Sequence, residues 1–335
     1  MWISRAYCLF RKHWLTAGIV ACLAVTLLGF AGHWHWYPDL YNHLRPQYVV
    51  ALTVALVFGL CLQRWRSVLA CMAGLGLNAA AMVSHAWQPA AAETVVTAPA
   101  TLEVATINLL RRNRNHGELE QLLRQRQPDV VVFQEVADHW APVLQGLKDI
   151  YPQQRMEYNR KGFWGLAILS RVPWKNADLI RLATGATKIG MVTEFEFQGR
   201  TVSLLNVHAS HPTSEGEIQQ RNQVHDAISK WSEEKRLAGN SVVVAGDFNC
   251  TPWAVLFQRF IADSGLIDTS RGRVFEATRH VALPDRIMID HVFVSPDWEL
   301  VGREVGPDFG SDHRPVFVSL GVPQSSATPA VAVVK

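Results

Sequence analysis

Two textures of apolar residue divide the chain. Up to Trp87 the apolar positions run unbroken for whole helical lengths. Trp14–Gly32, Gln47–Gln63 and Ser67–Trp87 are 19, 17 and 21 residues long without one charged side chain. A helix needs about 17–25 residues to cross the apolar core of a bilayer, and a soluble helix of this composition would lack the polar face that water requires. Aromatic side chains bracket the runs where an interface would hold them: Trp14, Trp34, Trp36 and Tyr37 around the first, Tyr48 and Trp65 around the second, Trp87 at the end of the third. The pattern predicts about three transmembrane helices, near 14–32, 47–63 and 67–87, within a region covering 1–88. Arg5, Arg11 and Lys12 also fit the basic start of a signal peptide, but the first run is long for a cleaved segment and further apolar runs follow it.

From Leu102 the runs shorten. Leu102–Ile107, Val130–Phe133, Leu166–Leu169, Val192–Phe197, Val202–Val207, Val242–Ala245, Ile287–Val294 and Val316–Leu320 are strand-length and rich in β-branched residues. VVVFQ and SVVVAG are continuously apolar, as central strands covered on both faces should be, whereas VTEFEFQG alternates. Gly117–Gln127 and Glu215–Lys235 have helical spacing, and Thr213 or Ser214 can cap the second. Strands with covering helices predict one α/β domain of two packed sheets over 101–322. Small and proline-bounded residues at 89–100 read as a linker, and 323–335 as a flexible tail.

Charge sharpens the division. Residues 1–99 hold six basic and two acidic side chains, and the remainder carries 26 basic and 27 acidic ones, a net charge of −1. A domain that coats nucleic acid by bulk charge should be basic, and this one is not. Arg5, Arg11, Lys12, Arg64 and Arg66 would lie on the cytoplasmic side, so three spans put everything after Trp87 outside. The expected location is an integral protein of the inner or plasma membrane with an extracytoplasmic domain. Cys8, Cys22, Cys61 and Cys71 fall in the apolar third and Cys250 stands alone, with no CxxC pair, so neither a zinc knuckle nor a disulfide framework is available.

Polar residues gather where the strands end. Asn108 follows the first run and Gln134-Glu135 the second; Asn206-Val-His208 closes TVSLLNVH and Gly246-Asp247-Phe-Asn249 closes SVVVAGDFN. Asp290-His291 lies within RIMIDHVFVS, and Ser311-Asp312-His313 precedes RPVFVSL. Each cluster alone has an ordinary structural explanation, such as an Asx turn, a helix cap or a packed histidine. Six of them in step predict one functional rim built on rigid elements.

In order and spacing these motifs, from Asn108 through QE, NxH, GDFN and ID to SDH, resemble the endonuclease/exonuclease/phosphatase superfamily over roughly Leu102–Leu320. The resemblance implies an α/β fold, a four-layer α/β/β/α sandwich of the DNase I-like type, and metal-dependent hydrolysis of phosphate esters. It makes Glu135 the main ligand of Mg²⁺ (with Mn²⁺ as the alternative), and Asn108 and Asp312 its companions or a second position. It gives His313 contact with the phosphate or activation of water, Asp290 the support of His313, and Asp247 the proton of the water or the leaving group. Asn249 and His208 would contact the phosphoryl oxygen. Hard oxygen ligands suit Mg²⁺, and charge on a phosphodiester is what such a site must neutralise.

The sequence departs from two subgroups. Val244-Ala245 precede GDFN where inositol-polyphosphate 5-phosphatases carry a tryptophan, and PDRIMID stands where they have PAWCDR. Thr251-Pro252-Trp253 is unlike the apurinic-endonuclease pattern and resembles a bacterial membrane-anchored branch. The substrate expected is a phosphate ester at or near the membrane, lipid-linked or, in the rival reading, extracellular nucleic acid. Membrane lipids are the other partner, and no protein partner is indicated. A non-catalytic receptor using the fold for binding is the alternative of another class, and the presence of every acid and histidine in the pattern speaks against it. Arg111, Arg112 and Arg114 read equally well as a solvated loop or as polyanion contacts; His211-Pro212 would shape a pocket wall, Phe163 and Trp164 would stack on a base, touch lipid or pack at a strand edge, and Cys250 would pack.

Overall fold

The computed structural model describes residues 2–86, 101–158, 164–184, 189–273, 275–280 and 286–323. Trp87, the linker expected at 89–100, Phe163 and the tail from residue 324 lie outside the described residues.

The chain opens with α1 (Trp2–Phe30), the single turn α2 (Trp36–Asp39), α3 (Arg45–Cys61) and α4 (Trp65–Ala86). Three segments in this region, His13–His33, Trp36–Cys61 and Trp65–Val83, are long and apolar enough to cross a membrane. Helix α3 ends at Cys61, so Leu62 and Gln63, expected inside the second span, form the turn to α4 instead; Gln63 has φ +53. Leu15, Ile19, Leu52 and Cys71 meet at the centre of the bundle, while Val20, Leu27, Val50, Val57, Leu69 and Met72 point outward and are exposed. An uncovered apolar belt of this kind suits acyl chains better than water.

The second region is a four-layer sandwich. One sheet has the order β13-β14-β1-β2-β4-β3 and the other β5-β6-β7-β8-β12-β9. In chain order the elements are β1 (Thr101–Asn108), α5 (His116–Arg126), β2 (Val130–Gln134), α6 (Ala141–Gln145), β3 (Gln153–Glu157), β4 (Leu166–Ser170), β5 (Trp174–Arg181), β6 (Ile189–Phe197) and β7 (Arg200–His208). There follow α7 (Glu215–Leu237), β8 (Ser241–Asp247), α8 (Val255–Ser264), β9 (Ile267–Asp268), the small hairpin β10 (Arg279–His280) and β11 (Arg286–Ile287), β12 (Asp290–Val294), β13 (Glu299–Val305) and β14 (Val316–Gly321).

The packing explains the continuous apolar runs. In β2, Val130 and Val132 enter the core between the sheets, against Leu204 and Val243, while Val131 and Phe133 lie under α5 and α6 with Leu119, Leu123 and Trp140. In the other sheet Leu205, Val207, Val242 and Val244 pack beneath α7 and α8 against Val224, Ile228, Phe257 and Phe260. Both faces of the central strands are dry, so no polar alternation survives in them. Ser214 caps α7, as its position predicted, and accepts a hydrogen bond from the Glu217 amide at 3.4 Å.

Each sheet contains one parallel pair joined through a helix: β1–α5–β2 and β7–α7–β8. A parallel crossover leaves the carboxyl ends of its two strands side by side, where side chains can converge on a ligand. Register then sets Asn108 opposite Gln134 in one sheet, and Asp247 between His208 and Asp290 in the other.

Candidate active site

The two sheets are fastened together at this rim by residues of the recognised motifs. Gln134 donates from Nε2 to Asn206 Oδ1 at 2.8 Å, and Asn206 donates to the carbonyls of Phe133 and Ala167, each at 3.0 Å. Both side chains are fully buried. The glutamine of QE and the asparagine of NxH therefore hold the layers in place, and their neighbours Glu135 and His208 face the cleft. Gly246 answers a related need. Its φ is +152, and a Cβ there would lie 2.0 Å from the Val207 carbonyl oxygen, so only glycine lets β8 approach β7 so closely.

Asn108 bridges the sheets at the level of the chemistry. Its Nδ2 lies 3.1 Å from Asp247 Oδ2 and 3.4 Å from Glu135 Oε1, while its Oδ1 accepts from the Leu110 amide. It thus meets both carboxylates through its NH₂ group. Glu135 takes φ +57 at the end of β2, which turns its carboxylate to accept the Arg111 amide at 3.1 Å. The SDH loop is tied to the same strand end. Ser311 donates to the Asn108 carbonyl at 2.8 Å and accepts from the His313 amide at 3.1 Å.

His313 donates from Nδ1 to Asp290 Oδ2 at 2.9 Å, and its Nε2 stands 3.8 Å from Asp247 Oδ2 and 4.0 Å from Asp312 Oδ1. Burial alone would lower the imidazole pKa, but Asp290 and Asp247 outweigh it and push it up to about 9. Burial, with the neighbouring Asp290 and Glu135 charges, pushes Asp247 up as well, to about 7, against the pull of His313. Asp290, though buried, is held below the usual carboxylate range by His313 and the Thr278 hydrogen bond. Two carboxylates on either side of one imidazole thus differ sharply in their hold on a proton. Such separation is characteristic of sites that move protons.

Glu135, Trp164, His208, His211, Asp247, Asn249, Arg279, Asp312 and His313 line a cleft of about 460 Å³. Of the eight residues expected in the site, six lie on its wall. Asn108 and Asp290 sit directly behind, bonded to Asp247 and His313. Asn249 adopts φ +47, which asparagine tolerates, and gives its amide to the Ala209 carbonyl at 3.0 Å. Trp164 lies 5.9 Å from His208, ring centre to ring centre.

Besides Ala209 and Glu217, which also line the cleft, two residues that shape the site were not foreseen. Arg279, on β10, reaches Asp312 at 3.3 Å and brings a permanent positive charge to the cleft. Thr278 accepts from the amides of Ile289 and Asp290, at 3.1 and 3.0 Å. These bonds break the single strand expected at Ile287–Val294 into β11 and β12 and orient Asp290. A two-residue strand carries no sequence periodicity, so neither residue had a readable signal. Cys250 is buried and its thiol is pushed up to about 12 by burial, as a packing residue requires.

The chemistry of the donor set fits a hard divalent cation. Glu135, Asp247, Asp290 and Asp312 bring four carboxylates to one place, and Asp312 Oδ1 is buried with no hydrogen-bond partner among the described residues. The group whose ligand atoms lie within 4.8 Å of one another is Asp247, Asp290 and His313. His313 already gives Nδ1 to Asp290, so the oxygens are the better donors for such an ion.

The profile of the Endonuclease/Exonuclease/phosphatase family matches residues 105–313. Among solved structures, sphingomyelinase C from Streptomyces griseocarneus aligns with TM-score 0.52 and 19% identity over 66% of this chain and 99% of its own. An endonuclease/exonuclease/phosphatase family protein from Bacteroides thetaiotaomicron gives 0.55 and 19%, over 68% and 99%. The human Nocturnin catalytic domain with a bound sulfate anion gives 0.54 and 18%, over 67% and 95%. At these identities the likeness carries the fold alone. No curated protein matches the chain in sequence.

Proposed function

Since the chain belongs to the endonuclease/exonuclease/phosphatase family, we propose that it is a membrane-anchored, divalent-metal-dependent hydrolase of phosphate esters. The observation that carries this reading is the buried His313–Asp290 pair set against Asp247, Glu135 and Asp312 in one cleft. Glu135 would hold the cation, with Asp312 and Asn108 beside it. When bound, Mg²⁺ or Mn²⁺ supplies charge neutralisation at the phosphoryl oxygens and the leaving group.

The remaining chemistry belongs to the side chains. His313, kept charged by Asp290, presents Nε2–H to a phosphoryl oxygen. Asp247, with its pKa near 7, can take a proton from the attacking water at neutral pH. Asn249 gives one amide hydrogen to Ala209 and has a second for the phosphoryl group. His208, with Nε2 3.7 Å from Asp247, faces the same space, and Arg279 adds positive charge around an anionic substrate.

The favoured substrate is a phosphate ester presented at the membrane, because the apolar bundle and the catalytic rim touch. Gln47, at the start of α3, donates to the Arg286 carbonyl on the hairpin that carries Arg279 into the cleft. The basic residues Arg64 and Arg66 lie at the opposite end of the helices from these contacts, which supports an extracytoplasmic cleft under the positive-inside rule.

The test is hydrolysis of bis-p-nitrophenyl phosphate, plasmid DNA and phospholipid vesicles by the full chain in detergent or nanodiscs. Turnover should require Mg²⁺ or Mn²⁺ and stop with EDTA, and Glu135→Gln should lower kcat by roughly 10²–10⁴-fold with the fold intact. Turnover that ignores both the chelator and Glu135→Gln would overturn the metal assignment. Cleavage of DNA with inert vesicles would replace the lipid-phosphate reading by a nuclease.

A further inference from the structure

The membrane bundle reaches into the segment that carries Asn249. Helix α8 begins immediately after that segment, and its N-cap is Ala254, which has no side-chain acceptor for the free amides of the first turn. The acceptor comes from 216 residues away. Asp39, at the end of α2 and only 1% exposed, accepts from the Val255 amide at 2.8 Å and the Leu256 amide at 3.4 Å. His43, four residues on, takes the Thr251 amide at 3.3 Å and lies 2.9 Å from its hydroxyl. From the sandwich side, Arg221 holds the Asn249 carbonyl at 3.1 Å and His291 holds the Cys250 carbonyl at 3.0 Å. The run from Asn249 to Leu256 is thus pinned from two directions, by the sandwich at its start and by the bundle at its end.

The bundle is built to hold Asp39 still. Asn42 donates to Asp39 at 2.7 Å; Arg45 donates to Asn42 and to Asn78, at 2.9 and 3.1 Å; Asn78 donates to Thr26 at 2.9 Å. This buried polar chain ties α1, α3 and α4 together. Polar groups are expensive inside apolar bundles and mark functional connections there. A tether whose only task is to retain a domain needs no such chain, and none of its length need end on a catalytic segment.

We infer that Asp39, supported by His43, is a positioning residue for Asn249: the membrane bundle supplies the missing cap of α8 and thereby fixes the catalytic loop. The kinetic consequence rests on the hydrolase reading above, whereas the structural consequence does not.

The experiment uses the full chain in nanodiscs and reads two quantities, amide exchange over residues 249–258 and the kinetics of bis-p-nitrophenyl phosphate hydrolysis. Asp39→Ala should speed exchange at Val255 and Leu256 about tenfold, the effect of a lost cap. It should also lower kcat roughly tenfold or more, with KM within about threefold, because the loop is misplaced rather than the binding surface removed. Asp39→Asn keeps an acceptor and should retain both properties. The decisive variant is Asp39→Ala combined with Ala254→Ser, which places a hydroxyl at a backbone already extended for capping (φ −71, ψ 142), where it can take the Leu256 amide, and should restore both slow exchange at Leu256 and kcat. Unchanged exchange in Asp39→Ala, faster exchange with unchanged kcat, or failure of the serine to restore either one would overturn the inference. If the unaltered chain hydrolyses none of the esters with any metal, the hydrolase reading fails, and the exchange data and their rescue alone decide whether the bundle caps α8.

Discussion

Asn206→Leu tests the fastening between the two sheets. Leucine has nearly the shape of asparagine and leaves no large cavity, so the cost is almost wholly polar. The substitution removes the two bonds to the Phe133 and Ala167 carbonyls and strands the Gln134 Nε2 group inside a fully buried region. Two lost hydrogen bonds at about 0.5–1.5 kcal/mol each, and one buried unpaired amide at about 1–3 kcal/mol, give about 4 kcal/mol of destabilisation. For a domain of this size each kcal/mol moves Tm by about 2–4 °C, so the melting transition should fall by about 8–16 °C. Tryptophan fluorescence on heating measures it, since Trp140, Trp253 and Trp298 are buried in the sandwich. The informative control is Gln134→Leu in the same background. With both amides gone neither strands the other, and the Thr106 hydroxyl loses its Gln134 acceptor in the single and the double variant alike, so the double variant should be more stable than the sum of the single losses by at least about 1 kcal/mol. Strict additivity, or a shift below about 3 °C for Asn206→Leu, would refute the reasoning.

Other outcomes follow from single contacts. Asp290→Asn removes the charge that holds His313 and should lower kcat roughly 10²–10³-fold while KM changes little, as steady-state kinetics will read. Gly246→Ala forces a Cβ to within 2.0 Å of the Val207 carbonyl and should cost about 3 kcal/mol or more, seen as a large fall in Tm or loss of folded protein on a sizing column. Asp268 is buried, which by itself would raise its pKa, yet the neighbouring His291, His85 and Arg303 bring it well below the usual carboxylate range. A carboxyl depressed on folding stabilises above its unfolded pKa and loses that contribution as pH falls toward the folded value. The Tm gap between the parent chain and Asp268→Asn should therefore be widest near neutral pH and narrow below about pH 4; a gap that widens with acid contradicts this.

The central strands and the rim were legible because burial on both faces writes itself into sequence as unbroken apolar runs ended by polar residues. What escaped had local reasons. β3 reads QQRME and β5 reads WKNADLIR; both are edge strands with polar, half-exposed residues, so neither announces a strand. β13, at another edge, is equally mixed. Helix α8 lacks a start signal since its cap lies on Asp39, and no window of sequence around Ala254 contains it. Gln134 and Asn206 belonged to the motif pattern, but only the register across the two sheets separates their fastening role from the cleft-facing role of their neighbours. Arg279 and Thr278 were hidden for the same reason as the hairpin that carries one of them: two-residue pairings leave no period to read.

Those polar edges matter more in two dimensions than in three. If the bundle anchors the chain as proposed, copies would share one plane and meet repeatedly flank to flank, the approach by which open ladders zip into aggregates. Lys175, Asn176, Asp178 and Arg181 along one border, and Gln153, Gln154, Arg155 and Glu157 along another, keep water at both flanks and make each encounter unprofitable. The features that made these strands hard to recognise are the ones that would let an anchored protein be crowded on a surface and stay apart.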